Sequence, residues 1–566
     1  MLTEYRLKTR ELHGNKDDAP ERSSDQAPIL LRGGLKEVEV EDLLAALPPR
    51  PTADALVLRC LDSGEASLIL MHPPTFKDEY EQFWRNPAAA SRAWLSLLFG
   101  ILACAVWIEH SMNPEIGEAK PPDVFNCYRE QCALALISSN CTTPGRYKVE
   151  AALMYLGNEY LQSNGLKTEI SILVGIVSRL AIMMGYHRDS RIYPQLSPFE
   201  GEMRRRMWLI LSTIDYFVSW QAGLPTVIPK DIGDTTPPRI LLDEDFGPTT
   251  EVLPPSRSEA HTPSNITYSV ALERILSVAN GIAKSSEAQI SPERTLHLKK
   301  QLDAVWSQVP SYLKPSAAYA TDGNDGIHIL TLEMTYQRAR CTLHRQYLAP
   351  QHDIPPYKDF RLECVNAARR VLECQTELFQ GILSQPQYRH QAWFGISRSI
   401  CDCMTAAMVI CLEIVSCVKK NEPLAREFST ELIGTLKTSY HCWKSCPRPS
   451  PETVKAADIL ARMLRLMGCC GVESGEFPKA FLPTANANVQ HAPLLNQTSP
   501  SLEEPINSSF GQQIPDLETY TNFSAFDMIN FVSLPLLKKT TPLILVAIRT
   551  LTINISRTCG IRRCST

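Results

Sequence analysis

Residues 178–225 read SRLAIMMGYHRDSRIYPQLSPFEGEMRRRMWLILSTIDYFVSWQAGLP, and their punctuation decides the fold. A helix runs into a glycine stop, a short polar loop follows, and a second helix begins with its own start signal. Apolar Ile170, Val174, Val177, Ala181 and Met184 step by four and three residues, which lines one face of a helix. Gly185 follows them, where a left-handed cap costs least. Ser197 then offers an N-cap oxygen, Pro198 fills the first helical position, and Glu200 can reach back to close a capping box. Met203, Met207, Ile210, Ile214 and Phe217 repeat the spacing until Gly223-Leu224-Pro225 ends the run.

The same period recurs outward in both directions. Val149, Leu153, Leu156 and Tyr160 form a face that Asn164-Gly165 would stop. Further helices are predicted over Tyr268 to Ala283, Ile327 to Tyr347, Cys364 to Leu372 and Gly395 to Val418, while alternating β-branched runs are scarce. The longest apolar run, Ala93 to Ile108, is bracketed by Arg92 and Glu109 and is shorter than the ~20 residues that cross a bilayer. It reads as a buried core helix, and no membrane partner is expected. The fold class is therefore all-α, with a helical body over 45–465. A disordered lead-in (1–44) and a mostly disordered tail (466–566) flank it. Residues 233–265 are proline-rich and acidic without hydrophobic pattern, which reads as a long, mobile loop.

The chain has 566 residues, 44% hydrophobic and 21% charged, with a net charge of -4. That balance suits a soluble globular protein with polar tails and gives no overall basic footprint for nucleic acid. Its 18 cysteines contain no pair at CxxC spacing. Most lie in apolar helical text such as CDCMTAAMVICLEIVSC, where reduced thiols act as small hydrophobes in an intracellular compartment.

Three features taken together resemble the fungal-specific transcription factor domain, the middle homology region of zinc binuclear cluster regulators. They are Gly185-Tyr186-His187-Arg188-Asp189, then Glu202-Met203-Arg204-Arg205-Arg206-Met207-Trp208, then Asp215 ahead of Gly223 and Pro225. The turn His72 to Phe76 and the sequence Leu343-His344-Arg345 are similar to other parts of that domain, so the likeness covers roughly 45 to 465. Leu224 stands where the family often has Arg, and Leu209 where a second aromatic is common. The resemblance implies a multi-helix regulatory domain and, for Gly185, His187, Arg188, Asp189, Arg204, Arg205, Arg206, Trp208, Asp215, Gly223 and Pro225, a structural or regulatory role.

Such regulators carry six cysteines that share two zinc ions, with a helix entering the major groove. The first cysteine here is Cys60, so the chain is expected to reach DNA only indirectly, or through a module encoded upstream of Met1, and to hold no metal. Arg204-Arg205-Arg206 could be an import signal or a phosphate contact. Three adjacent arginines fan around a helix, however, and pairing with acids such as Asp189 or Glu200 is the preferred reading. Trp208 is expected in the core, where its truncation would cost about 3–5 kcal/mol if the ring is fully buried.

No phosphate loop, nucleophile elbow or HExxH is present, so no catalytic residue or cofactor is proposed. Leu242-Asp243-Glu244-Asp245 could suggest a divalent-cation site but lacks a matching carboxylate set, and solvated loop charge is the preferred reading. His187 with Asp189 could form a base and its orienter; cap and salt-bridge roles suit them better. The function expected is nuclear regulation of a pathway gene set through transcription factors or coregulators, with a small-molecule effector allowed. The alternative is a cytoplasmic helical ligand-binding or interaction module. Residues 516–531, DLETYTNFSAFDMINF, interleave acids with aromatics as activation segments do. Beyond Asp527 the chain turns basic and β-prone.

Overall fold

The computed structural model describes residues 28–31, 37–112, 122–162, 168–285, 290–315, 323–348, 357–384, 389–420, 423–446 and 451–466. Among these residues the chain forms helices and short 3-10 turns and no strand. The first group is α1 (Val40–Ala45), α2 (Arg50–Leu61), α3 (Pro73–Arg85), α4 (Arg92–Met112), α5 (Asp123–Ser138), α6 (Lys148–Gln162), α7 (Thr168–Met183) and α8 (Pro198–Ala222). An extended strap over 226–264 then leads to α9 (Asn265–Ser285), α10 (Pro292–Gln308) and α11 (Gly323–His344). The chain continues through α12 (Tyr357–Ser384), α13 (Arg389–Lys420), α14 (Pro423–Lys444) and α15 (Pro451–Leu466).

α4 is the hub of the first half. Leu95, Leu98, Phe99, Ile101 and Leu102 are all buried, so the helix is covered on every side, by α2, α5, α6 and α13. Each such side chain contributes about 1.5–3 kcal/mol on leaving water. Two polar contacts sit within this packing. Ser96 Oγ donates to the Cys132 carbonyl at 2.7 Å, and Asn158 Nδ2 donates to the Gly100 carbonyl at 2.9 Å. The core-helix expectation for Ala93 to Ile108 therefore holds.

A second core is built by α11 to α15, with Trp443 edge-on against Phe379. A third cluster of α9, α10 and α11 packs on Trp220 from the end of α8. One buried junction ties these parts together. Arg338 of α11 lies 4.3 Å over the Trp220 ring and pairs with Asp402 of α13 at 2.5 Å.

Three expectations need correction. The lead-in 1–44 is not wholly disordered: Ile29 is buried, the Val38 N–H donates to Ser138 Oγ at 2.8 Å, and α1 begins at Val40. Polar composition hid these anchors because each is a single contact rather than a periodic run. The region 233–265 is a tied-down strap rather than a mobile loop, for reasons given below. α8 is not buried along one stripe, since Leu209, Leu211, Val218 and Trp220 are buried along with Met207 and Ile210. It runs between α7, α9 and the strap, so several faces are covered.

The helices α1, α2, α3, α5, α10, α14 and α15 are not announced by periodicity in the sequence, and His72 to Phe76, expected as a turn, is the N-cap and first turn of α3. α10 shows why: it buries only Thr295, Leu298 and Leu302, too few for a clear period, although Ser291 and Pro292 mark its start. Asn164-Gly165, the acidic-aromatic segment 516–531 and the basic stretch after Asp527 lie outside the described residues.

Candidate functional site

The corner between α7 and α8 is fixed by local signals. Gly185 adopts φ +76°, and the Tyr186 N–H closes on the Ala181 carbonyl at 3.0 Å. Ser197 Oγ accepts from the Glu200 N–H at 3.2 Å while Glu200 Oε2 accepts from the Ser197 N–H at 2.9 Å, which completes the capping box. At the far end Gly223 adopts φ +64°, Leu224 N–H reaches the Ser219 carbonyl at 2.9 Å, and Pro225 leads the chain away. Leu224 itself is exposed.

Consecutive residues on a helix point about 100° apart, so the three arginines serve three different neighbours. Arg204 donates to the Met184 carbonyl at 2.5 Å and lies 4.2 Å over the Tyr186 ring. Arg205 grips Asp189 with two hydrogen bonds, Nε to Oδ2 at 3.1 Å and Nη2 to Oδ1 at 2.9 Å. Arg206, only 2% exposed, donates to Asp243 Oδ1 at 2.7 Å and to the Leu241 carbonyl at 2.8 Å beneath the Phe246 ring. The pairing with Asp189 is as expected. Glu200 is not a partner, because its carboxylate is spent on the capping box. With Arg205 and Arg206 buried against carboxylates, the triplet presents no stripe to phosphate.

These side chains hold the strap. Asp189 accepts from Arg205, from the Arg191 backbone and side chain, and from Thr236 through both its N–H at 3.1 Å and its hydroxyl at 2.7 Å. Burial alone would raise this carboxyl, but the hydrogen bonds from Arg205 and Thr236 outweigh it and keep Asp189 ionised well below the usual carboxylate range. The Asp234 N–H meets the His187 carbonyl at 3.0 Å, Thr235 Oγ1 meets the Tyr186 carbonyl at 2.8 Å, and Arg188 pairs with Asp234 at 3.2 Å. Contact here is close enough that a Cβ on Gly233 would fall 1.9 Å from the His187 oxygen.

Further along, Glu202 Oε1 accepts from the Arg239 N–H at 2.7 Å. Burial pushes this carboxyl up, against the opposing pull of that N–H and of Arg206 and Arg205. Asp215, also buried, accepts from the N–H groups of Val227 and Ile228 at 3.0 and 2.8 Å; burial raises it and those N–H groups act the other way. His72, the N-cap of α3, reaches the Asp243 carbonyl through Nε2 at 2.8 Å. Asp245 pairs with Arg257. The acids of Leu242 to Asp245 are therefore not simply solvated loop charge, since Asp243 neutralises a buried arginine and Asp245 folds the strap on itself.

His187 and Asp189 do not form a base and orienter. The Asp189 oxygens are taken by Arg205, Arg191 and Thr236, and the His187 ring lies beside Trp208, with centroids 6.4 Å apart. The side-chain cap or salt-bridge role expected for His187 is also not found; its backbone carbonyl makes the contact. Trp208 is half-buried, not fully in the core. Trp208→Ala is accordingly expected to cost about 1–2 kcal/mol, below the 3–5 kcal/mol of a fully buried ring. A urea titration giving 3 kcal/mol or more would contradict this placement.

These contacts form a clasp in which Arg188, Asp189, Arg205, Arg206, Asp215 and the His187 carbonyl hold the strap. Of the other sequence-predicted positions, Gly185, Gly223 and Pro225 shape the helix ends, Arg204 ties the α7–α8 corner and Trp208 stands beside His187. The partners that the sequence reading did not pick out are Asp234, Thr235, Thr236, Arg239 and Asp243. Their signal is weak because each lies about 35 to 50 residues from its partner, in text with no period. Chemically the arrangement binds chain to chain: its acids are ion-paired or hold backbone N–H and hydroxyl groups. Among the described residues no three His, Cys, Asp or Glu side chains are grouped to hold a metal, and the fourteen cysteines are thiols.

Known proteins are similar to this chain in sequence. A Zn(2)-C6 fungal-type transcription factor of Monascus ruber, pigI, is 32% identical over 460 residues, covering 79% of this chain and 56% of its own length. A second from Macrophomina phaseolina, mpsB, is 31% identical, covering 78% of this chain and 61% of its own. The equisetin cluster transcription factor eqxF of Fusarium heterosporum is 28% identical, with 83% and 70% covered. The chain therefore spans little more than half the length of the first two. The family model described as the fungal specific transcription factor domain matches residues 66–304, from the turn before α3 through the strap to α10.

Proposed function

We propose that the chain is a regulator of transcription for a pathway gene set, acting in the nucleus through protein partners. The carrying observation is the domain over 66–304, matched to relatives that are themselves named as transcription factors, one of them for the equisetin cluster. The clasp supports a regulatory role for the α7–α8 corner and α8. It spends Arg188, Asp189, Arg205, Arg206 and Asp215, five of the residues that carry the resemblance, on holding a strap, which is a packing event able to have two states. Transcription factors or coregulators are the partners that suit a helical surface without a basic footprint, and DNA is reached with them.

The reading is tested by deleting the gene and measuring transcripts genome-wide, together with a fluorescent fusion of the full protein. A contiguous set of biosynthetic genes should change together, and the fusion should concentrate in nuclei. A cytoplasmic fusion with unchanged transcripts would instead favour a ligand-binding or interaction module outside transcription.

A further inference from the structure

Thr236 is the point where the strap meets Asp189. The residue is exposed, yet its hydroxyl donates to Asp189 Oδ2 at 2.7 Å and its N–H to the same oxygen at 3.1 Å. Pro237 follows it. Three arginines surround the contact: Arg205 and Arg191 on Asp189, and Arg188 on the neighbouring Asp234.

Hydroxyl-proline pairs occur elsewhere among the described residues, and each has a simpler account. Ser197 and Ser291 are N-caps with proline in the first helical turn. Thr262 is buried. Thr143 Oγ1 accepts from the Lys148 ammonium at 2.8 Å, a contact that a phosphate there would keep. Ser197 Oγ also meets a carboxylate, that of Glu200 at 3.0 Å, but within its own capping box three residues away. Thr236 meets one from a segment 47 residues distant, so there a phosphate reverses the contact that holds two segments together.

The geometry points to Thr236 as a phosphorylation site for a proline-directed protein kinase, whose product holds the strap off the α7–α8 corner. The γ-phosphoryl group of ATP is transferred to Oγ1. The bond from the γ-phosphorus to the bridging oxygen breaks, the Oγ1–P bond forms, the hydroxyl proton passes to the kinase's base, and ADP leaves. The phosphate has no proton to offer Asp189, repels its carboxylate, and competes for Arg191 and Arg205. The packing of Gly233 and Asp234 on the His187 carbonyl means that the strap must lift before a kinase can seat this segment. Phosphorylation therefore captures the lifted state, at a rate that follows strap opening.

The test uses the purified full chain with a proline-directed kinase and MgATP, with phosphopeptide mapping and amide hydrogen exchange as readouts. Phosphate is expected on Thr236, with exchange over 227–240 faster by about tenfold or more. Thr236→Val takes no phosphate at this position. Asp189→Asn, which loosens the strap, is phosphorylated severalfold faster than wild type. Gly233→Ala lifts the strap by another route and does the same if the asparagine variant fails to fold. Phosphate on a urea-unfolded chain but not on the native one overturns the proposal, because the strap then does not open. Absence of phosphate from both overturns it equally, as does phosphate at Thr236 with unchanged exchange.

Discussion

Asp189→Ala is expected to lower the unfolding free energy by about 3–5 kcal/mol, because it strands a buried guanidinium. Arg205 keeps only the 3.3 Å contact to Glu202, and the Thr236 N–H and hydroxyl lose their acceptor. Asp245→Ala supplies the comparison within the same strap. Its partner Arg257 is 45% exposed, and a solvent-screened pair of that kind is worth about 0–1 kcal/mol. Replacing both partners, as Asp189→Ala with Arg205→Met, should recover part of the loss, since an apolar pair leaves no buried charge behind. Urea midpoints for the four proteins decide the matter. Equal small losses for Asp189→Ala and Asp245→Ala would show that the clasp is not an energetic centre.

The second large effect is a pair of opposed pH dependences. His344 is fully buried, its ring nitrogens make no hydrogen bond, and burial lowers its pKa to about 4. In the unfolded chain it protonates near 6.5, so between pH 6.5 and 4 the unfolded state holds more protons and stability falls on acidification. Glu150 behaves oppositely. Burial raises it to about 7 despite its own backbone hydrogen bond and Arg146 and Arg204, so the folded state holds the extra proton and stability falls as pH rises from 4.5 to 7. Each contribution is worth up to about 3 kcal/mol across its window.

Read as differences from wild type, His344→Leu should gain relative stability at pH 5 compared with pH 7. Glu150→Gln should gain at pH 7 compared with pH 5. Parallel pH profiles for both variants and wild type would show that neither group titrates in the folded domain as its burial dictates.

The legible parts of this protein were those written in consecutive residues. The capping box at Ser197 and Glu200, the glycine stops at 185 and 223, and the fan of Arg204, Arg205 and Arg206 all follow from helix geometry within a few positions. The strap was not legible, because its order comes from Asp189, Glu202, Arg206 and Asp215 acting on backbone and side chains far along the chain. A segment held by other segments' side chains carries little periodicity of its own. Trp208 shows the limit of pattern within a helix, since its neighbours Met207 and Leu209 are buried while its own ring only leans on the surface beside His187.

α4 sets the terms on which this protein persists in a cell. Its stretch from Arg92 to Ser111 is long and apolar enough to cross a membrane, and 89% of its most apolar window is hidden inside the fold. Any opening that peels α5 or α6 away presents that stretch to chaperones and degradation machinery that bind exposed apolar segments. Loss of only 1–2 kcal/mol can change cellular abundance several-fold. A substitution far from the strap, at Gly100 for instance, where an added Cβ would lie 2.9 Å from that of Met154, should therefore silence the protein by shortening its lifetime and not by altering what it touches.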